Sequence, residues 1–201
     1  MSSIPVNLAV EDELSDVVLR RLLEHSGRPY AIGTTFGLRG FGYLRSTISG
    51  WNQAAAGRPF IVLTDLDQYP CVPALINEWM AGSQHPNLIL RVAVREVEAW
   101  LLADRVHLGT FLNVADRHFP TEPDAVMDAK ALLIALARRS RSKDVKARIV
   151  PRVGSTAKQG REYNPALAHF ARTIWDVDAS LRVSPSLARS FRRLQTFTPI
   201  W

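Results

Sequence analysis

A chain of 201 residues, 47% hydrophobic and 22% charged, is long enough for one substantial core and an appended subdomain. No run approaches the roughly 18 apolar residues of a membrane-spanning helix, and Met1-Ser2-Ser3-Ile4-Pro5 lacks the basic-then-apolar order of a signal peptide, so the expectation is a cytoplasmic protein. The net charge of +6 is uneven: residues 1–100 hold eight Arg, no Lys and ten acids (−2), and residues 101–201 hold seventeen basic and nine acidic residues (+8), which points to a cation site in the first half and polyanion contacts in the second, or to a merely solvated basic surface.

Val6-Asn7-Leu8-Ala9-Val10 reads as a short strand that runs directly into Glu11-Asp12-Glu13. Leu14, Val17, Val18, Leu22 and Leu23 then recur at helical spacing, and Ser15-Asp16 suits the helix amino terminus. His25 lies at the other end of that helix, where a cation is mildly favourable. Gly27-Arg28-Pro29 stops the helix, and Tyr30-Ala31-Ile32-Gly33 is a second strand. From Gly33 to Gly42 four glycines surround Arg39 in a basic loop whose backbone could approach a phosphate, although no Gly-Lys-Ser/Thr follows as in a P-loop. A helix over 43–56 leads into Phe60-Ile61-Val62-Leu63-Thr64-Asp65-Leu66-Asp67, a buried strand that delivers carboxylates to its carboxyl end. Asp65 and Asp67 share a face if extended geometry continues past Thr64. Such hard oxygen ligands suit Mg²⁺ or Mn²⁺, while an Asp-x-Asp also serves as a turn or a cap.

The single Cys71 excludes an internal disulfide and a cysteine-based zinc site and reads as a small buried side chain. A third helix over 72–80 precedes a fourth strand, Leu88-Ile89-Leu90-Arg91-Val92-Ala93-Val94, which meets Glu96 and Glu98. Strands alternating with helices predict an α/β fold, a parallel sheet of about four strands flanked by helices over 1–104, with ligands bound beyond the strands' carboxyl ends. Glu11, Asp65, Asp67 and Glu96 or Glu98 would gather there. Residues 105–201 read as a mostly helical basic extension: helices over 126–138 and 165–175, a loop over 154–160, and a last helix opened by Ser184-Pro185. Arg39, Arg138, Arg139, Arg141, Lys143, Lys158 and Arg161 are the candidate nucleic-acid contacts. The five tryptophans, Trp175 and Trp201 among them, read as packing anchors, and the histidines lack metal-ligand spacing.

On Val10-Glu11 after the first strand and Asp65-Leu66-Asp67 after the third, the first hundred residues resemble a Toprim domain, the catalytic module shared by topoisomerases, primases and the overcoming-lysogenization-defect nucleases. Glu98-Ala99-Trp100-Leu101-Leu102 is similar to the segment after the fourth strand in small bacterial Toprim-like proteins, whose relatives are linked to ATPases and phage defence. Asp12 stands where the family usually has Gly. The resemblance implies metal-dependent phosphodiester cleavage, with Mg²⁺ or Mn²⁺ on Asp65 and Asp67, acid/base work by Glu11, a second ion completed by Glu98, and Lys130 as the loose counterpart of a later lysine. No ATPase motif is present, so a nucleotide-driven step would come from a partner. The residues also admit other readings. Glu11 could serve the dipole of the following helix, Glu96 could be an exposed salt-bridge partner and Lys130 a solvated lysine. The whole chain could be a catalytically silent module binding nucleic acid or protein, or a phosphotransfer enzyme, though the Lys and Asp context of aspartyl-phosphate chemistry is missing.

Overall fold

The computed structural model describes residues 3–80 and 82–201; Met1 and Ser2, at the start read as lacking a signal peptide, and Ala81 lie outside the described residues. The chain forms β1 Ile4–Val10, α1 Glu13–His25, β2 Tyr30–Gly37, α2 Phe41–Ala54, β3 Phe60–Asp65, α3 Val72–Trp79, β4 Leu88–Ala93, α4 Val97–Leu102, α5 Arg105–Leu112, α6 Ala129–Arg139, α7 Lys143–Ile149, α8 Tyr163–Thr173, α9 Val177–Leu181 and α10 Pro185–Thr196. Two compact units result, one of residues 1–94 and 189–201 and one of residues 95–188. The expectation set the boundary after residue 104. The contacts divide the chain after Val94, and every side chain of α4 is buried in the second unit, in contact with α5, α6 and α9.

The first unit is the expected α/β structure, with four strands in the order β2-β1-β3-β4, all parallel and flanked by helices. Residues 60–64 of β3 are all buried, as a continuous apolar strand covered on both faces must be. In register with one another, Ala9, Val62 and Leu90 face a layer built by Leu44, Ile48 and Trp51 of α2 and Leu75 and Trp79 of α3. The alternate side chains point the other way, and α1 packs on β1, β2 and β3 with Leu14, Val18, Leu19 and Leu22 buried. From β1 the chain moves outward to β2 and then returns past β1 to β3. The winding therefore reverses between β1 and β3, the switch point at which a parallel sheet opens a crevice beyond its carboxyl ends.

The carboxyl-terminal tail closes the opposite edge. Arg28 Nη2 donates to Phe197 O at 2.6 Å, Tyr30 Oη donates to Leu194 O at 2.6 Å, and Asn87 exchanges two 2.8 Å bonds with the Ile200 backbone. Trp201 itself is 77% exposed, so it is not the packing anchor expected of it; the tail is held by main-chain bonds instead. Cys71 is also exposed rather than buried, because it occupies the N-cap position of α3, outside the core.

The second unit is helical. Short polar side chains start four of its helices: Asp104 accepts from His107 N at 3.2 Å, Asp128 from Ala131 N at 2.7 Å, Ser142 from Val145 N at 3.3 Å and Asp176 from Ala179 N at 2.9 Å. Trp100 and Trp175 are buried, and their indole N–H groups donate to Ser186 Oγ at 2.8 Å and Ser180 Oγ at 2.7 Å. Among the described residues no helix is long and apolar enough to cross a membrane.

Candidate active site at the carboxyl edge of the sheet

Glu11 occupies the turn between the last residue of β1 and the cap of α1. The cap is Asp12, whose Oδ1 accepts from both the backbone N and Oγ of Ser15 at 2.8 Å. Its φ of −147° is extended backbone, which any residue adopts, so this turn does not require glycine. Its carboxylate is engaged by the helix, so the next acid back, Glu11, faces the crevice. Glu11 Oε1 accepts from Thr64 Oγ1 at 2.5 Å and from Asp65 N at 2.8 Å. The acid after β1 is thus fastened to the end of β3.

Burial raises the Glu11 carboxyl above the ordinary carboxylate range, and the bonds from Thr64 and Asp65 N–H oppose that rise. The negative charges of Asp12 and Asp67 push it further upward. Asp67 therefore lies close enough for its field to reach Glu11.

The route by which Asp67 reaches the site differs from the expected one. Extended geometry stops at Asp65; Leu66 N then bonds Ala93 O at 2.8 Å and the Leu66 side chain is buried in the core. Asp67 has a φ of +47° and is exposed. Strand alternation does not put Asp65 and Asp67 on one face. A left-handed turn, which Asp tolerates better than most residues, sets Asp67 at the rim, and Tyr69 N closes it on Leu66 O at 3.1 Å.

The glycine-rich stretch is also reassigned. β2 extends to Gly37, so only Leu38, Arg39 and Gly40 remain outside regular structure. Gly37 has a φ of +98°, and a Cβ there would lie 2.0 Å from Val10 O. Leu38 N donates to Val10 O and Gly40 N to Glu11 O, both at 3.0 Å. The backbone that approaches closely here is that of β1 and its turn. Arg39 is exposed, its guanidinium 5.3 Å from the Tyr43 ring centroid.

The remaining expected residues belong to the second unit. Glu98, 3% exposed, lies 3.5 Å from Lys130 Nζ and accepts from Tyr163 Oη at 3.1 Å, so two residues given separate roles on resemblance are partners of one another. Glu96 is not an exposed salt-bridge partner: its Oε2 accepts from Lys130 N at 2.8 Å, in the first turn of α6. Arg139 and Arg141 line one cavity, while Arg138 and Lys158 line another with Arg152. Lys143 and Arg161 are exposed at the approaches to α7 and α8. Thr64 was not anticipated, since a threonine inside an apolar strand reads only as a strand former.

No protein-family model, curated protein or solved structure matches the chain. Among the described residues no group of three His, Cys, Asp or Glu is assembled to hold a metal ion. Asp65 and Asp67 nevertheless fit a hard cation by donor chemistry, because Mg²⁺ is commonly held by one or two carboxylates and completes its shell with water.

Proposed function

We propose that the carboxyl edge of the sheet is the active site of a metal-dependent nuclease of the Toprim type, acting on the phosphodiester bonds of nucleic acid. The observation that carries this is the bridge from Glu11 Oε1 to the Thr64 hydroxyl and the Asp65 N–H, at the switch point of the sheet. Asp65 and Asp67 would hold Mg²⁺ or Mn²⁺, which when bound supplies charge neutralisation at the scissile phosphate and a more acidic water. Glu11 handles the proton. Its raised pKa brings exchange nearer to neutral pH, and because both hydrogen bonds engage Oε1, Oε2 is the oxygen that takes or gives the proton. Thr64 and the Asp65 N–H orient that carboxyl. Any nucleotide-driven step is assigned to a partner ATPase.

Cleavage of DNA and RNA oligonucleotides with Mg²⁺ or Mn²⁺ tests the proposal. Activity is expected in the wild type and lost in the Asp65→Ala/Asp67→Ala double variant; equal activity in the two removes it. The arginine-lined cavities of the second unit favour one other reading, a catalytically silent nucleic-acid-binding module. Steeply salt-dependent binding, indifferent to metal and without cleavage, would put that reading first.

A further inference from the structure

We propose that the cavity formed by α5, the turn after it and the carboxyl end of α6 binds a phosphate monoester, and that its occupant is the phosphorylated end of a nucleic-acid strand. The proposal deepens the nucleic-acid reading but does not depend on cleavage at the sheet edge. The cavity measures about 590 Å³, within the usual range of small-molecule sites, and Arg105, Arg117, Arg139, Arg141 and His118 line it together with one acid, Asp116.

Main chain shapes this cavity. Asn113 takes a left-handed φ of +53°, Val114 N returns to Gly109 O at 2.9 Å, and Arg141 N reaches Asn113 O at 3.4 Å. A Cβ on Gly109 would lie 2.9 Å from Val114 O, so glycine permits the close turn. The result brings arginines from separate stretches of sequence to one concavity.

All four arginines are exposed on this concavity, open to a ligand from solvent. Arg105 is the first residue of α5, at the positive end of the helix dipole, where a cation is unfavourable. Arg139, in the last turn of α6, is favoured by its dipole, yet its Nη1 lies 3.3 Å from His118 Nδ1, which must accept, since a guanidinium has no lone pair to offer. Among the described residues none of the four arginines is paired with a carboxylate. Cations gathered on one cavity repel, and a dianionic phosphate with three acceptor oxygens relieves that repulsion through bidentate guanidinium bonds. A concave site suits a strand end better than a continuous diester backbone. Arg138, next to Arg139 on α6, lines the second groove with Arg152 and Lys158, a cationic track for the nucleotides that follow the end.

The test is fluorescence anisotropy on the full chain in EDTA, with single-stranded oligonucleotides ending in 5′-phosphate, 3′-phosphate or hydroxyl only. One of the phosphorylated ends is expected to bind about tenfold or more tightly than the hydroxyl end, the gain of one or two charge-assisted bonds. Arg117→Gln and Arg139→Gln should each erase that preference, whereas Arg152→Gln should weaken all three oligonucleotides alike. Arg105→Gln should erase the preference and also raise the melting temperature, a combination that a purely structural arginine would not give. No preference between ends, or a preference that survives in the Arg117 and Arg139 variants, overturns the proposal. Inorganic phosphate or a mononucleotide competing as well as the phosphorylated oligonucleotide overturns the strand-end assignment in favour of a free phosphate monoester. The Asp65→Ala/Asp67→Ala variant should keep the end preference, which separates this outcome from failure of the cleavage proposal.

Discussion

Glu11→Gln should stabilise the protein at neutral pH while sharply reducing the proposed cleavage. Gln retains an acceptor oxygen for Thr64 Oγ1 and Asp65 N, so geometry is kept and only charge is removed. Two effects compete. A carboxylate accepts more strongly than an amide oxygen, which favours the wild type, whereas burial and the nearby Asp12 and Asp67 charges penalise the ionised carboxyl. Burial is the largest influence, so the net gain should be on the order of 0.5–2 kcal/mol, typical when a functional group held at a cost to stability is replaced. The sign follows from linkage. A carboxyl raised in the folded state contributes most below its unfolded pKa near 4.5, and that contribution is lost as pH rises through the folded value. Thermal melts of the two proteins should therefore coincide near pH 4 and separate toward pH 7, with the variant melting higher. Thr64→Val removes a bond that lowers the Glu11 pKa, so in that background the separation should still begin near the unfolded value but continue to higher pH and grow larger. Cleavage by Glu11→Gln should fall about 10²–10⁴-fold, the usual worth of a positioned acid or base. A variant less stable than the wild type at pH 7, or a difference independent of pH, would refute the reasoning.

Gly37→Ala should cost more than about 3 kcal/mol in thermal or urea denaturation, because left-handed strain adds to a Cβ 2.0 Å from Val10 O; Gly42→Ala, with open space around it in α2, should be neutral or stabilising. Tyr30→Phe should lose about 1 kcal/mol with the bond to Leu194 O. Burial pushes the Tyr30 phenol up to about 12, so wild-type stability should fall as pH rises from 10 to 12 and the Phe variant should lack that fall in denaturant titrations. Asp104→Ala should destabilise by about 2–5 kcal/mol in chemical denaturation, since the buried carboxylate caps α5 and also accepts from Asp176 N at 2.8 Å.

The parallel sheet was legible because β1, β3 and β4 are apolar runs that end at acids, and the strands alternate with helical periods, signals that are local. The nearness of Glu11 to Asp65 followed from the topology they imply. The positive φ of Asp67 left no mark, since nothing in Leu66-Asp67-Gln68 demands a left-handed turn, and Leu66 pairing with Ala93 depends on a partner far along the chain. Gly37 was visible as a glycine but its reason was not: the atom it must avoid belongs to β1. Helices α7 and α9, of seven and five residues, are too short for periodicity to reveal, and α7 buries Ile149 alone. Charge located the basic cavity by half of the chain, not by residue, because Arg105 and Arg117 meet Arg139 and Arg141 only after folding.

The Asn87–Ile200 exchange and the bonds from Arg28 and Tyr30 make the final residues part of the sheet unit, although its strands are complete by Ala93. On the ribosome, the nascent sheet must wait for residues 194–200, about a hundred positions after its last strand, before that edge can close. A gene truncated after the fourth strand would encode every carboxylate of the proposed centre yet leave Asn87 without the Ile200 backbone it bonds.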